Sequence, residues 1–514
     1  MPDRLQTFDY EPVVGLPRPP LEEEERADAF VPERTGEDSE PERRGDDLGD
    51  SGGARPGGFN VRPGGVGARP GGAGKLSAKW PRLLHGERWG APRGHAASFA
   101  GLLAFTFVLY FRPQDYFPWL QSAYIAFVPA VLTLLAYLPS QLAAEGTLTA
   151  RPREVNLALL LLLSALISVP LAVSPSLAFG TFWENCLKSV LTFVIIVNVV
   201  RTEGRLRVML YLAVAVTVLL CLFAINDYRH GTLVAEGYRV VGRSSAGMFE
   251  NTNDLAVQLV TVLPIMVALG LGGRGLLRKL VFGACAALTL VVIVLTFSRG
   301  ASLALLASGV FMAWKLGRRS RLTVFAALGL VAVLFMALAP GEYWERLASI
   351  VNPSLDRLGS AQARSGLLAH ALISAIANPV FGLGIGNFPL VSERGLVTHN
   401  AYMQVAAEMG FAGAVIYAMF VVAPLRRLRL IEEETFEARR ASRFYHLSVG
   451  LQTSIVAYMV SSFFVSVAFY LYIYFLVGYA VCLRRIYCDA TAAGGDDSSG
   501  GRAPEATAES WGDA

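Results

Sequence analysis

Apolar residues fall in blocks of about twenty along this chain, separated by short polar links. At 1.5 Å per residue, a helix of that length spans roughly 30 Å of hydrocarbon. From Ala96 there are twelve such blocks: 96–111, 121–138, 155–173, 182–200, 206–225, 254–271, 280–297, 300–316, 321–339, 401–423, 447–464 and 468–483. Two are short or interrupted, so the pattern predicts eleven to thirteen crossings. It describes an all-α, polytopic integral membrane protein with about 12 transmembrane helices. A long loop, about 340–400, separates the ninth block from the tenth.

Composition agrees with the pattern. Of 514 residues, 53% are hydrophobic and only 17% charged, where a soluble protein would carry nearer a quarter. The expected membrane domain, 96–485, has a polar tail on each side. In residues 1–95 an acidic stretch from Glu22 to Asp50 precedes Arg-Pro-Gly-Gly repeats starting at Arg55, Arg62 and Arg69. Such a segment has too little apolar surface to offset its chain entropy and is predicted to be disordered, as is 486–514. Arg/Gly tracts can bind RNA, but a solvated tail is the reading here, with no nucleic-acid partner. The chain opens without a secretory signal, so the first membrane helix is expected to act as an uncleaved anchor. The five cysteines form no CxxC pair, and neither disulfides nor a metal site is expected.

The net charge of +4 matters less than its distribution. Lys75, Lys79, Arg82, Arg88 and Arg93 precede the first block. Alternate links then carry Arg151/Arg153, Arg201/Arg205/Arg207, Arg274/Arg278/Lys279, Lys315/Arg318/Arg319/Arg321, Arg426/Arg427/Arg429 with Arg439/Arg440/Arg443, and Arg484/Arg485. Every link that parity assigns to the cytoplasm is basic, so both termini are predicted to be cytoplasmic. The opposite face is informative because its basic residues run against this bias. They are Arg229, Arg239, Arg243, Arg299, Arg346, Arg357, Arg364 and Arg394. Arginine in such places points to an anion, and its planar fork suits phosphate.

Four stretches on that face stand out. Arg239-Val-Val-Gly-Arg243 runs into Asn251-Thr-Asn253-Asp254 before the sixth block. Thr296-Phe-Ser-Arg299-Gly300 is a tight turn between two blocks. The long loop holds Asn378-Pro379 and then Gly382-Leu-Gly384-Ile-Gly386-Asn387-Phe388. His399-Asn400-Ala-Tyr402-Met-Gln404, with Glu408 and Gly410, opens the tenth block.

Together these resemble the O-antigen ligase and O-antigen polymerase superfamily of bacterial inner-membrane glycosyltransferases, over about residues 100–425. The resemblance implies a GT-C-like fold and a metal-independent reaction at the periplasmic face of the inner membrane, without cofactor or nucleotide sugar. A glycan on undecaprenyl diphosphate would pass to an acceptor hydroxyl, such as lipid A–core. The family's arginines map onto Arg299 and onto Arg243 or Arg239, and its histidine onto His399. Many relatives read Asn-Pro-Asn where this chain has Asn251-Thr252-Asn253.

Chemistry agrees with those roles. A departing lipid diphosphate gathers negative charge that fixed guanidinium groups stabilise, and imidazole can take the proton of the acceptor hydroxyl. The six histidines show no HxH or HExxH spacing. Asn251, Asn253, Gly384, Gly386, Asn387, Asn400 and Glu408 are candidate substrate-site residues with Arg239. Arg364, in an amphipathic run over 361–377, is either a substrate contact or part of a solvated helix face. The glycine series either admits a ligand to the backbone or serves a tight loop. Glu184 and Lys188 are spaced for an internal ion pair. A polymerase shares the donor chemistry and differs in taking a second lipid-linked glycan as acceptor. A flippase for the same lipids would show two related halves, and no internal repeat is found.

Overall fold

The computed structural model describes residues 94–115, 119, 125–231, 239–240, 249, 251–318, 360–392, 395–439 and 442–498, with isolated positions between 321 and 348. Nearly all of the N-terminal segment, Arg243, most of the ninth apolar block, the first part of the long loop and the end of the C-terminal tail lie outside the described residues.

Among the described residues the regular elements are helical and there is no strand. In chain order they are α1 (Ala96–Phe111), α2 (Phe127–Glu145), α3 (Arg153–Ser168), α4 (Pro175–Val199), α5 (Glu203–Arg229) and α6 (Thr252–Leu271). Then come α7 (Leu276–Leu295), α8 (Arg299–Leu316), α9 (Ser360–Ala377), α10 (Ala401–Glu434), α11 (Arg443–Ser461) and α12 (Leu471–Ser498). Seven of these helices are long and apolar enough to cross a membrane: α2, α4, α5, α6, α7, α10 and α12. That is fewer than the twelve blocks. The ninth block lies mostly outside the described residues, α1 and α3 have only 16 residues each, and α11 mixes His446, Gln452 and three serines into its apolar run.

Two boundaries differ from expectation for local reasons. Pro175 occupies the first turn of α4 and starts it earlier than 182, because proline suits a position whose N–H has no helical acceptor. The helix then passes through one wider π turn at Phe182–Leu187. Glu184 and Lys188, expected to pair inside the bundle, are both exposed there. At the other end of the chain, α12 continues to Ser498, where the sequence reading begins a disordered tail at 486.

Burial sorts the helices as their composition dictates. The first part of α12 is apolar or aromatic on all sides, and its residues Leu471–Cys488 are buried. It lies against α4, α5, α10 and α11. α2 and α7 are peripheral and turn Phe127, Leu132, Leu135, Leu276, Leu277 and Leu280 outward.

One end of the bundle is rich in ion pairs. Arg201 meets Glu145 at 2.7 Å, and Lys315 meets Glu432 at 2.7 Å. Arg484 grips both oxygens of Glu154 at 2.7 and 3.0 Å. Each pair joins residues distant in the chain, so the basic links are tied to acidic residues of neighbouring helices. The candidate site lies at the opposite end.

Candidate functional site

Three helices begin at this opposite end with a side-chain cap. Asn251 caps α6 by accepting from the Asn253 N–H at 2.8 Å, and Asn400 caps α10 by accepting from Tyr402 and Met403 at 2.9 and 3.0 Å. Ser298 caps α8, its hydroxyl accepting from the Ala301 N–H. Each satisfies backbone donors that the first helical turn leaves open.

The turn before α8 is reversed by Phe297, whose φ is 51°. Arg239 folds onto it. Its Nε donates to the Thr296 carbonyl at 3.3 Å and its Nη2 to Asn253 Oδ1 at 3.2 Å, while Val240 N–H donates to the Leu295 carbonyl. The same Asn253 oxygen accepts from the Ser298 hydroxyl at 2.9 Å. Asn253 therefore joins the buried Arg239 to the turn that carries Arg299. Arg299 is the first residue of α8 and is partly exposed. Arg243 lies outside the described residues.

His399 occupies a second strained turn, with φ 50°, in the left-handed region that most side chains avoid. Thr398 holds it by donating to the Asn400 carbonyl at 3.0 Å and by a hydroxyl contact to Ser466 at 2.9 Å. Burial pushes the His399 imidazole down to about 4, and the Arg364 guanidinium of α9 adds to the effect. The His399 imidazole is thus neutral at physiological pH, and Arg364 is its electrostatic neighbour.

The glycine loop packs against the protein itself. Gly382, Gly384 and Gly386 have φ of 67°, 93° and 74°. A Cβ on Gly382 would strike the Glu408–Met409 backbone; on Gly384 it would strike Ala172, and on Gly386 Thr181. The Leu383 and Gly384 N–H groups donate to the carbonyls of Ala407 and Glu408 at 2.9 and 3.0 Å. The Glu408 carboxylate accepts from Gly386 N–H at 2.9 Å, and Asn387 Oδ1 accepts from Ser174 N–H at 2.7 Å. Here α10 is broken at Gly410 (φ 72°, ψ −178°), and Phe411 N–H turns to the Pro379 carbonyl at 2.8 Å. Gly384, Gly386, Asn387 and Glu408 are thereby placed in a brace between α4 and α10. Leu367 and Ala371 of α9 pack with Leu383, Phe388, Leu396 and Ala407, and this cluster seats the helix that bears Arg364.

The connection between the two turns comes from a stretch that the sequence did not mark. In the link between α11 and α12, the Ser462 carbonyl accepts from Ala401 N–H at 2.9 Å, and Ser466 meets Thr398. Phe464 packs against Gly300, where an added Cβ would lie 2.7 Å from the Phe464 Cβ. At the start of α12, Tyr472 donates to the Asp254 carbonyl at 3.3 Å. The link thus touches the first turns of α8 and α10, and the start of α12 touches that of α6; the positive dipole ends of these three helices lie at the same end of the bundle. Ser462 and Ser466 are the serines of this link, a faint signal in an otherwise apolar stretch.

Residues 284–418 match the family model described as O-antigen ligase. No curated protein matches the chain. The O-antigen ligase domain begins inside α7 and ends inside α10, so it contains Arg299, Arg364, the glycine brace and His399. Arg239, Asn251 and Asn253 precede it, and the 462–466 link follows it. The domain and the apolar helices together mark a membrane enzyme of the O-antigen ligase or polymerase type.

Proposed function

We propose that the chain transfers a glycan from undecaprenyl diphosphate to an acceptor hydroxyl of lipid A–core, at the periplasmic face of the inner membrane, within a GT-C-like bundle of about twelve crossings. The observation that carries this reading is the 462–466 link, which ties the turn bearing Arg299 to the turn bearing His399. In the reaction the glycosidic C–O bond to the diphosphate breaks and a bond to the acceptor oxygen forms. Arg239, Arg299 and Arg243 stabilise the charge that gathers on the departing diphosphate, helped by the positive ends of α6, α8 and α10. His399, neutral and adjacent to Arg364, takes the hydroxyl proton. Diphosphate bound beside Arg364 offsets the guanidinium charge and so raises the basicity of His399 as the donor arrives. Asn251, Asn253 and Asn400 fix the turns, while Gly384, Gly386, Asn387 and Glu408 hold the brace.

The test is a deletion of the gene in its host, complemented with wild type or His399→Asn. Asparagine is chosen because it tolerates the left-handed φ of 50° at this position. Gels and mass spectrometry then follow lipid A–core and undecaprenyl-linked glycans. Long lipid-linked chains beside uncapped core identify a ligase. Single lipid-linked repeats identify the polymerase, which shares this donor chemistry. Full rescue by His399→Asn rejects the catalytic role.

A further inference from the structure

A second ligand site is carried by the ion-pair end of the bundle, away from the reaction centre. A laterally open, apolar groove of about 520 Å³ runs between α1 and α5, lined by Leu103 and Phe107 on one side and Val208, Tyr211 and Ala215 on the other. Built ligand sites fall in the same range, about 300–1,000 Å³. Measured from the start of α5, the groove covers depths of about 8 to 18 Å at 1.5 Å per residue, within one leaflet.

Its basic end is not apolar. The wall residue Tyr211 accepts from Arg278 Nη2 at 3.0 Å, and the Arg278 guanidinium lies 5.6 Å from the centre of the Phe282 ring. Arg207 is the electrostatic neighbour of Arg278, one helix away on α5. Arg207 also meets Glu203 at 3.0 Å, and Arg443 meets the same carboxylate at 2.6 Å. Arg207 and Arg443 thus share the Glu203 carboxylate, and Arg278 lies near Arg207 and on the groove wall residue Tyr211, at the mouth of a groove shaped for a hydrocarbon chain.

We propose that this is a binding site for an anionic phospholipid, its phosphodiester on Arg207 and Arg278 and an acyl chain along Leu103, Phe107 and Ala215. A basic pocket between membrane helices that opens into an apolar cleft suits an anionic headgroup with its tail. The proposal stands apart from the transferase reading, since it uses none of the residues assigned to that reaction.

The full chain, purified in detergent, is placed in nanodiscs of equimolar phosphatidylglycerol and phosphatidylcholine, and retained lipid is read by native mass spectrometry. Wild type is expected to keep one phosphatidylglycerol after the bulk lipid is stripped. Retention should weaken about tenfold for Arg278→Gln, by loss of a charge-assisted contact. Ala215→Trp, which fills the groove and leaves the charges in place, should lose the lipid as well. Arg429→Gln, on an exposed pair with Glu433 at the same end, serves as the control and should retain it. Equal retention of the two phospholipids by wild type overturns the proposal without any variant, as does undiminished retention in both Arg278→Gln and Ala215→Trp.

Discussion

The two ends of the bundle use arginine in opposite ways. At the basic end Arg484 is buried against Glu154 and Arg201 against Glu145, cation to carboxylate. At the other end Arg239 is equally buried, and its contacts include a backbone carbonyl and an amide oxygen of the turn before α8 and the first turn of α6. Ion pairing at the basic end serves the packing of distant helices. At the opposite end the contacts to Thr296 and Asn253 fix the Arg239 guanidinium against the turn that carries Arg299, a fixed position of the kind that the proposed charge stabilisation uses.

The sharpest way to break this contrast is to exchange the consequences. His399→Asn keeps the left-handed turn and removes the base, so transfer should fall by about 10²–10⁴-fold, while the thermal midpoint of the purified protein stays where it was. Glu154→Gln should do the reverse. It leaves Arg484 buried without its counter-charge and costs about 3–5 kcal/mol of stability, while transfer per folded molecule is retained. Thermal unfolding in detergent and a transfer assay normalised to folded protein read both. A catalytically dead but stable Glu154→Gln protein would dissolve the division between the two ends.

The part of this arrangement legible in the sequence was what local chemistry fixes. The apolar blocks beginning at 254, 300 and 401 located three helix starts, with Arg299 and His399 beside them, and the structure caps those starts with Asn251, Ser298 and Asn400. What escaped the sequence depends on contacts between distant segments. The Gly382–Gly386 series left open whether a ligand or the chain itself approaches the backbone, and the close neighbours prove to be Ala172, Thr181 and the 408–409 backbone. Nine residues along a continuous helix would put Glu408 near the far side from His399. Helix α10 runs unbroken from Ala401 through Glu408 and breaks only at Gly410, and the carboxylate reaches the Gly386 N–H. Nothing in Ser462 to Ser466 announces that this link touches two other turns, because serine between apolar blocks is ordinary.

The brace offers a smaller test. Glu408→Gln still presents an oxygen to the Gly386 N–H, so a residue with a purely positioning role should retain activity to within about threefold, as for a neutral replacement of one hydrogen-bond acceptor. Glu408→Ala leaves the buried N–H without this acceptor and should lower both stability and rate. Comparing kcat and melting temperature across the two variants separates positioning from proton transfer. If Glu408→Gln were as dead as His399→Asn, the carboxylate would belong to the chemistry and the brace would be part of the reaction centre.

Arg364 gives the smallest and most specific effect. Burial is the larger reason that His399 titrates near 4 instead of 6.5, and the positive charge of Arg364 is the second. Removing that charge by Arg364→Gln favours the imidazolium, so the proton is held more tightly and the acid limb of kcat/KM moves to higher pH. Because burial remains, the limb should stop short of 6.5. Arg364→Lys keeps the cation and should leave the limb near its wild-type position. A pH profile of kcat/KM reports the free enzyme, so this comparison isolates the influence of Arg364 on His399 from any contact with bound donor. If Arg364→Gln raised KM with the limb unmoved, Arg364 would act on the donor alone, and the neutrality of His399 would rest on burial.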